Sequence, residues 1–173
     1  MDSSGIIYKL RVPTKRQLSA ARRFWNFVRN EFYKRGWEKS FKDIYSLSPL
    51  YENFSIDHFL PWSFVVHDSL WNLTPVEKST NSMKSDKLPN LKIYLPRLAE
   101  LHYKAIGVSI NRPKLLEDYV ICFNDEPNKI LSLGEKGLQK KYYNLKAAIG
   151  NSGPLGRSPA LNPARPEPPF IPQ

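Results

Sequence analysis

The chain has 173 residues, which is enough for one hydrophobic core and too short for two comfortable ones. The 26 Lys and Arg residues outnumber the 16 Asp and Glu residues, and the net charge of +10 has the sign expected for a protein whose partner carries phosphates. The single cysteine excludes an intramolecular disulfide and a cysteine-rich structural zinc site, and it favours a reducing compartment.

The first 50 residues are predicted to form a basic helical segment. Thr14 and Gln17 have the form of a capping box, and apolar residues then recur at helical spacing, which predicts a helix over about 15–34 and a second piece over about 38–45. A basic stripe on the first helix is suited to a phosphate backbone, although an ordinary solvated face would show the same pattern. The stripe consists of Arg16, Arg22, Arg23 and Arg29.

Two short strands and a short helix are predicted next. Residues 54–57 alternate apolar and polar, and residues 70–74 form a candidate antiparallel partner that Pro75 would end. The loop between them is long for a hairpin, and long ordered loops are uncommon unless they are functional. Ser79 can cap a helix that extends to about Asp86, although the run before it, at 74–77, is a rival start signal.

Helical patterns continue after this segment. Apolar residues recur from Leu95 to Ile106, where Pro96 is acceptable in a first turn, and further helices are predicted over about 114–123 and 135–149. His102 falls on an apolar face and is expected to be a partly buried packing residue. For the four tryptophans, core packing is the favoured interpretation, and stacking on bases is the alternative.

These elements together predict one α+β, mostly helical domain followed by a tail. Its parts are a basic segment at 1–50, the hairpin and following helix at 51–106, and C-terminal helices at 107–150. Residues 151–173 hold seven of the fifteen prolines, which predicts a disordered or loosely extended tail. No apolar run approaches the ~20 residues of a membrane span, so we expect a cytoplasmic protein with no membrane partner.

An acid, a base and further polar groups lie close together within residues 57–84. Hydrolysis of a phosphodiester needs a deprotonated water and groups that absorb charge on the phosphate, and a histidine with one hard cation supplies both. His58 is suited to take the proton of the water, since a histidine has an ordinary pKa near ~6.5. Asp57 and Asn81 offer hard oxygens to one Mg²⁺ or Mn²⁺ ion. The sequence therefore predicts a one-metal hydrolytic site.

The spacing resembles that of the HNH endonuclease family. Asp57 and His58 are followed by Asn72 after thirteen residues, Asn81 after eight more and Lys84 after two more. The pattern is especially similar to the HNH domain of type II CRISPR effector nucleases and to small bacterial HNH endonuclease domain proteins. The resemblance implies a ββα-metal (His-Me finger) hairpin and helix packed among other helices, with residues 51–106 as the nuclease core.

The resemblance also implies roles and products. Asn72 would position the loop and the histidine by hydrogen bonds, and Lys84 would offset charge on the phosphate. The expected products carry 5′-phosphate and 3′-hydroxyl ends.

Two departures from the family pattern limit the resemblance. Ser79 stands where the CRISPR relatives have an acid, which favours weaker metal binding and Mn²⁺ over Mg²⁺. The chain also has no guide-binding region, so the targeting mechanism of those relatives is not transferred.

Further basic residues near the motif are candidates for contacts with nucleic acid. His67 lies in the loop and could touch phosphate, although a solvent-exposed loop histidine is the favoured interpretation. The remaining candidates are Lys78 and Lys87.

Three functions are compatible with these patterns. The first is a metal-dependent endonuclease that hydrolyses DNA, with RNA as an open second substrate. The second is a nucleic-acid-binding module that keeps the scaffold and cleaves weakly or not at all. The third is a subunit of a defence or mobile-element assembly in which a protein partner supplies target specificity, an idea motivated by the proline-rich tail.

Overall fold

The computed structural model describes residues 18–65 and 67–151, which are mostly helical and contain one small sheet. This agrees with the predicted α+β, mostly helical class. The candidate capping box at Thr14 and Gln17, the basic residue Arg16 and the proline-rich stretch 152–173 lie outside the described residues. No helix in the described part of the chain is long and apolar enough to cross a membrane.

Helix α1 (Ser19–Lys34) buries one apolar stripe, as its sequence pattern predicts. The buried residues recur every three or four positions, so they share one face of the helix. They are Ala21, Phe24, Trp25, Val28 and Phe32.

The second helical piece predicted over 38–45 does not form. Only Glu38–Ser40 adopts a short 3-10 turn, after which the chain folds back and Lys42 bridges Pro49. The cause is the fully buried Asp43, whose carboxylate accepts hydrogen bonds from the backbone N–H groups of Tyr45 and Ser46. These local side-chain bonds compete with helical bonds and favour a turn.

The predicted hairpin is present with shifted boundaries. Strand β1 (Ser55–His58) pairs antiparallel with β2 (Leu73–Val76), so that His58 lies opposite Leu73. Pro75 was expected to end β2 but lies inside it, opposite Ile56. The sheet formed by the described residues has only these two strands, so the nitrogen of Pro75 can lie on an edge where no ladder bond is required. Residues predicted to begin β2 instead form a 3-10 turn, Leu70–Asn72.

Two short helices flank the hairpin. Helix α2 (Trp62–Val65) lies in the connecting loop, and α3 (Lys78–Lys84) follows β2. Glu77, rather than Ser79, occupies the cap position of α3. The helix ends at Lys84 instead of Asp86 because Ser85 adopts a positive φ of 46°.

Four helices complete the described chain: α4 (Leu91–Val108), α5 (Glu117–Phe123), α6 (Pro127–Ser132) and α7 (Gly134–Asn151). Helix α4 starts earlier than predicted because the Asn90 side chain accepts a hydrogen bond from the N–H of Lys92 and caps it. Pro96 therefore lies in the helix interior, where it removes one backbone bond. Helix α6 was not predicted. Helices α4 and α7 pack against each other.

The tryptophans divide between core and surface. Trp25 and Trp71 are buried, which confirms the core interpretation for these two. The indole N–H of Trp25 donates to the carbonyl of Leu73 at 3.1 Å, so α1 holds the start of β2. Trp37 is exposed and Trp62 is half-buried, so the core interpretation is wrong for Trp37 and only partly correct for Trp62.

His102 lies deeper than expected. It is fully buried, and its Nδ1 atom lies 2.8 Å from the hydroxyls of both Tyr119 and Tyr142. The Tyr142 hydroxyl also lies 3.0 Å from the carbonyl of Trp71, to which it donates. Burial lowers the pKa of His102 to about 3, so this histidine is neutral in the folded protein.

Acidification should therefore destabilise the fold through His102. Its pKa in the folded protein lies below the ordinary value. The stabilisation that depends on a neutral His102 is therefore fully present above pH ~6.5 and is lost as the pH falls toward the folded pKa of about 3. The unfolding free energies of the wild type and of His102→Gln should be measured in urea from pH 7 to pH 4. The difference between them should shrink by up to ~1.4 kcal/mol per pH unit below ~6.5. A constant difference would contradict this assignment.

Candidate active site

A cleft of about 270 Å³ opens at the end of β1 and beside α3. Asp57, His58 and Asn81 all line it, so three of the five motif residues meet at one surface. The other lining residues are Leu18, Ile56, Pro61, Trp62, Ser85 and Asp86. The hairpin supplies the acid and the base from adjacent positions, and α3 supplies the amide.

Asp57 is held from inside the protein. Its side chain is only 5% exposed, and its Oδ2 atom accepts a hydrogen bond from the Tyr45 hydroxyl at 2.9 Å. The Lys84 ammonium lies 3.2 Å from Oδ1 and 3.1 Å from Oδ2. Burial raises the pKa of Asp57 to about 6, against the opposing effects of Lys84 and Tyr45. The carboxylate is thus oriented by its neighbours while it lines the cleft.

Lys84 is fully buried and does not line the cleft. Besides Asp57, its ammonium donates to the backbone carbonyl of His58 at 2.8 Å. One lysine from α3 therefore holds both the side chain of Asp57 and the backbone of His58. The side chain of Lys84 binds Asp57 and His58 here. Its predicted contact with a phosphate stays a prediction.

Asn72 holds the chain immediately after the histidine. Its side-chain oxygen accepts from the N–H of Leu60 at 2.8 Å, and its side-chain NH₂ donates to the carbonyl of Leu60 at 2.9 Å. Its backbone carbonyl accepts from the N–H of Phe59 at 2.8 Å. These bonds continue the contact between the two strands beyond His58, and the predicted positioning role of Asn72 stays a prediction.

His58 is buried and has an acidic neighbour, Asp68, that was not predicted from the sequence. Its Nε2 atom lies 2.8 Å from Oδ1 of Asp68, and its ring meets the edge of Trp62 with centroids 5.4 Å apart. Tyr45, the partner of Asp57, was missed as well. Neither residue has a local signal, because both reach the motif from loops whose paths are set by tertiary packing.

The arginine stripe is partly used within the protein. Arg22 donates to the carbonyl of Phe54 at 2.9 Å, and Arg29 lies 3.9 Å from the carboxylate of Glu52. Arg23 is exposed. Lys78 and Lys87, at the two ends of the α3 region, are also exposed.

His67 does not lie at the cleft. It is half-buried in an apolar pocket of about 580 Å³, and its ring lies 5.3 Å from that of Trp71. Burial lowers the pKa of His67. The favoured interpretation of a solvent-exposed loop histidine is therefore wrong, and a phosphate contact at the cleft does not fit its position.

The donor set of the cleft is compatible with one hard divalent cation. Asp57 offers a carboxylate and Asn81 an amide, and both are oxygen ligands of the kind that Mg²⁺ and Mn²⁺ bind together with water and phosphate. Within residues 18–65 and 67–151, no group of three or more His, Cys, Asp and Glu residues could hold a metal. Ser79 is exposed and lines a different depression, whereas Asp86 adds a second carboxylate to the cleft.

A comparison with models of known protein families finds a match in the segment that holds the cleft. The model of a family described as HNH endonuclease matches residues 42–90, which contain the hairpin, α3 and the motif residues of the cleft. This match confirms the resemblance of this segment to the HNH endonuclease family. The closer similarity to CRISPR effector nucleases stays a prediction. Neither a curated protein nor a solved structure matches the chain.

Removal of the Lys84 ammonium should strongly destabilise the protein. Lys84→Met leaves the Asp57 carboxylate buried without its cation, which should cost ~3 kcal/mol in unfolding free energy at neutral pH. A second change, Asp57→Asn, should recover part of this loss because it removes the unpaired charge. Urea unfolding of both variants measures the effect. Lys87→Met is the control, since an exposed lysine should contribute within ~0.5 kcal/mol. Equal costs for Lys84→Met and Lys87→Met would contradict the prediction.

Proposed function

We propose that the protein is a metal-dependent DNA endonuclease that uses His58 as general base and one divalent cation. The observation that carries the proposal is the shared cleft, in which Asp57, His58 and Asn81 meet inside the segment that matches the HNH endonuclease family. DNA is the substrate that this family implies. The identity of the ion as Mg²⁺ or Mn²⁺, and the 5′-phosphate and 3′-hydroxyl products, are part of the proposal.

Each residue has a task in this mechanism. Asp57 and Asn81 would hold the cation, which when bound supplies positive charge to the phosphate oxygens and the leaving oxygen. Lys84 and Tyr45 keep the Asp57 carboxylate in place. His58 takes a proton from the attacking water, which makes the water nucleophilic at neutral pH.

The positive charge of the chain suits a polyanionic substrate. The net charge of the chain is +10, and α3 carries the exposed Lys78, with Lys87 shortly after its end. Arg23 presents a further exposed cation on α1. Such charges attract the phosphate backbone without reading its sequence. These charges therefore do not select a target sequence. We include in the proposal a protein partner that supplies this specificity, and a cytoplasmic location.

A plasmid assay with paired histidine variants tests the proposed chemistry. Supercoiled DNA is incubated with the protein and Mg²⁺ or Mn²⁺, and with EDTA as the metal-free condition. His58→Ala should lower the cleavage rate by ~10²-fold or more, because general base catalysis typically contributes that much. His67→Ala is the matched control, since this histidine belongs to the same loop and lies away from the cleft. Equal activity of His58→Ala and the wild type would contradict the proposal.

A second candidate is a nucleic-acid-binding module that cleaves little. It is favoured by the Asp57 carboxylate, which already accepts bonds from Tyr45 and Lys84 and has a raised pKa. Such a protein would bind DNA with the same basic surface and need no metal.

Salt titrations should locate the basic surface in either case. We expect the exposed Arg23, Lys78 and Lys87 to bind phosphates. A plot of log K for DNA binding against log salt concentration has a negative slope. Conversion of any one of them to Gln should reduce the magnitude of this slope by ~0.9, because the protein then neutralises one phosphate fewer. Fluorescence anisotropy of labelled duplex DNA measures this slope. Arg22→Gln is the comparison, because Arg22 already donates to the carbonyl of Phe54. An unchanged slope in all three variants would place the DNA elsewhere.

A further inference from the structure

We propose that Asp68 is a positioning residue that fixes the orientation and tautomer of His58. The inference rests on the proposed function, since it concerns how the general base is prepared. Asp68 lies ten positions beyond the histidine, in the loop that joins the two strands.

The geometry of the pair defines which nitrogen carries the proton. Oδ1 of Asp68 lies 2.8 Å from Nε2 of His58, and the two side chains are only 13% and 7% exposed. An ionised carboxylate only accepts hydrogen bonds, so Nε2 must be the protonated nitrogen of the neutral ring. The lone pair that can take a proton from water then resides on Nδ1. Because the pair is largely shielded from solvent, competition from water is weak.

The ring is restrained on a second side. Its edge contact with Trp62, at 5.4 Å between centroids, limits rotation about the side-chain bonds of His58. The carboxylate and the indole together define one ring orientation. The Lys84 bond to the His58 carbonyl fixes the backbone from which the ring projects.

Asp68 can act in this way only if its loop is held, and a distant helix holds it. The N–H of Leu70 donates to the Asp118 carboxylate of α5 at 2.7 Å. Within the loop, the N–H of Asn72 donates to the carbonyl of Ser69 at 3.0 Å. Asp118 lies outside residues 42–90, so the placement of Asp68 depends on a part of the fold that the family match does not include.

Substitution by asparagine gives the clearest test. The amide of Asp68→Asn preserves the shape of the side chain and can donate to Nε2, which favours the opposite tautomer with the proton on Nδ1. We expect the rate constant for DNA cleavage to fall by ~10²-fold or more, because general base catalysis contributes about that much and depends on the correct tautomer. The affinity for DNA should stay within about twofold. Asp68→Glu, which retains the acceptor, should recover part of the rate. Glu117→Gln, an exposed carboxylate of α5, is the matched control.

A spectroscopic measurement separates this inference from the proposed function. Long-range ¹H–¹⁵N correlation spectra of labelled protein distinguish the two tautomers of His58 without any cleavage. The wild type should show the proton on Nε2, and Asp68→Asn should shift the population toward Nδ1. An unchanged tautomer in folded Asp68→Asn, or an unchanged cleavage rate despite a shifted tautomer, would overturn the proposal. A shifted tautomer in a protein that cleaves no DNA would support the positioning of His58 and overturn the proposed nuclease activity.

Discussion

The buried pair of Lys84 and Asp57 is the interaction on which the cleft depends. A lysine with no exposure to solvent requires compensation, and it obtains this from the carboxylate of Asp57 and the carbonyl of His58. Both acceptors lie at the end of β1, so the ammonium ties α3 to the hairpin at the site itself. Tyr45, from the loop that precedes β1, donates a further hydrogen bond to the Asp57 carboxylate. Loss of this one charge would therefore disturb the Asp57 side chain, the backbone of His58 and the position of α3 together.

The short sheet is supported by side chains of the surrounding helices. A two-stranded sheet is rarely stable alone, because it buries too little apolar surface. Here the carbonyl of Leu73 accepts from Trp25 of α1, and that of Trp71 accepts from Tyr142 of α7. His102 of α4 links the same tyrosine to the core. The geometry of the cleft is thus a property of the whole helical domain, in which local strand pairing contributes only one part.

Local sequence patterns predicted the hairpin and its helix, and three of the five motif residues, Asp57, His58 and Asn81, meet at the cleft because they belong to consecutive local elements. Tyr45 and Asp68 could not be predicted in the same way, since their contacts depend on loop paths set by tertiary packing. Rules based on single residues also gave way to context. Pro75 is tolerated at a strand edge, Pro96 inside a capped helix, and the buried Asp43 replaced an expected helix by a turn.

The hydrogen bond between Leu70 and Asp118 shows that the contacts supporting the loop beside His58 extend beyond the matched segment. The family match ends at residue 90, yet α5 begins at Glu117 and still anchors the loop beside His58. A graft of residues 42–90 onto another scaffold would carry the motif without the anchor of this loop. The portable unit for protein engineering is consequently the hairpin together with α1, α4, α5 and α7. For the same reason, a molecule that binds α5 could alter the cleft from a distance, without occupying it.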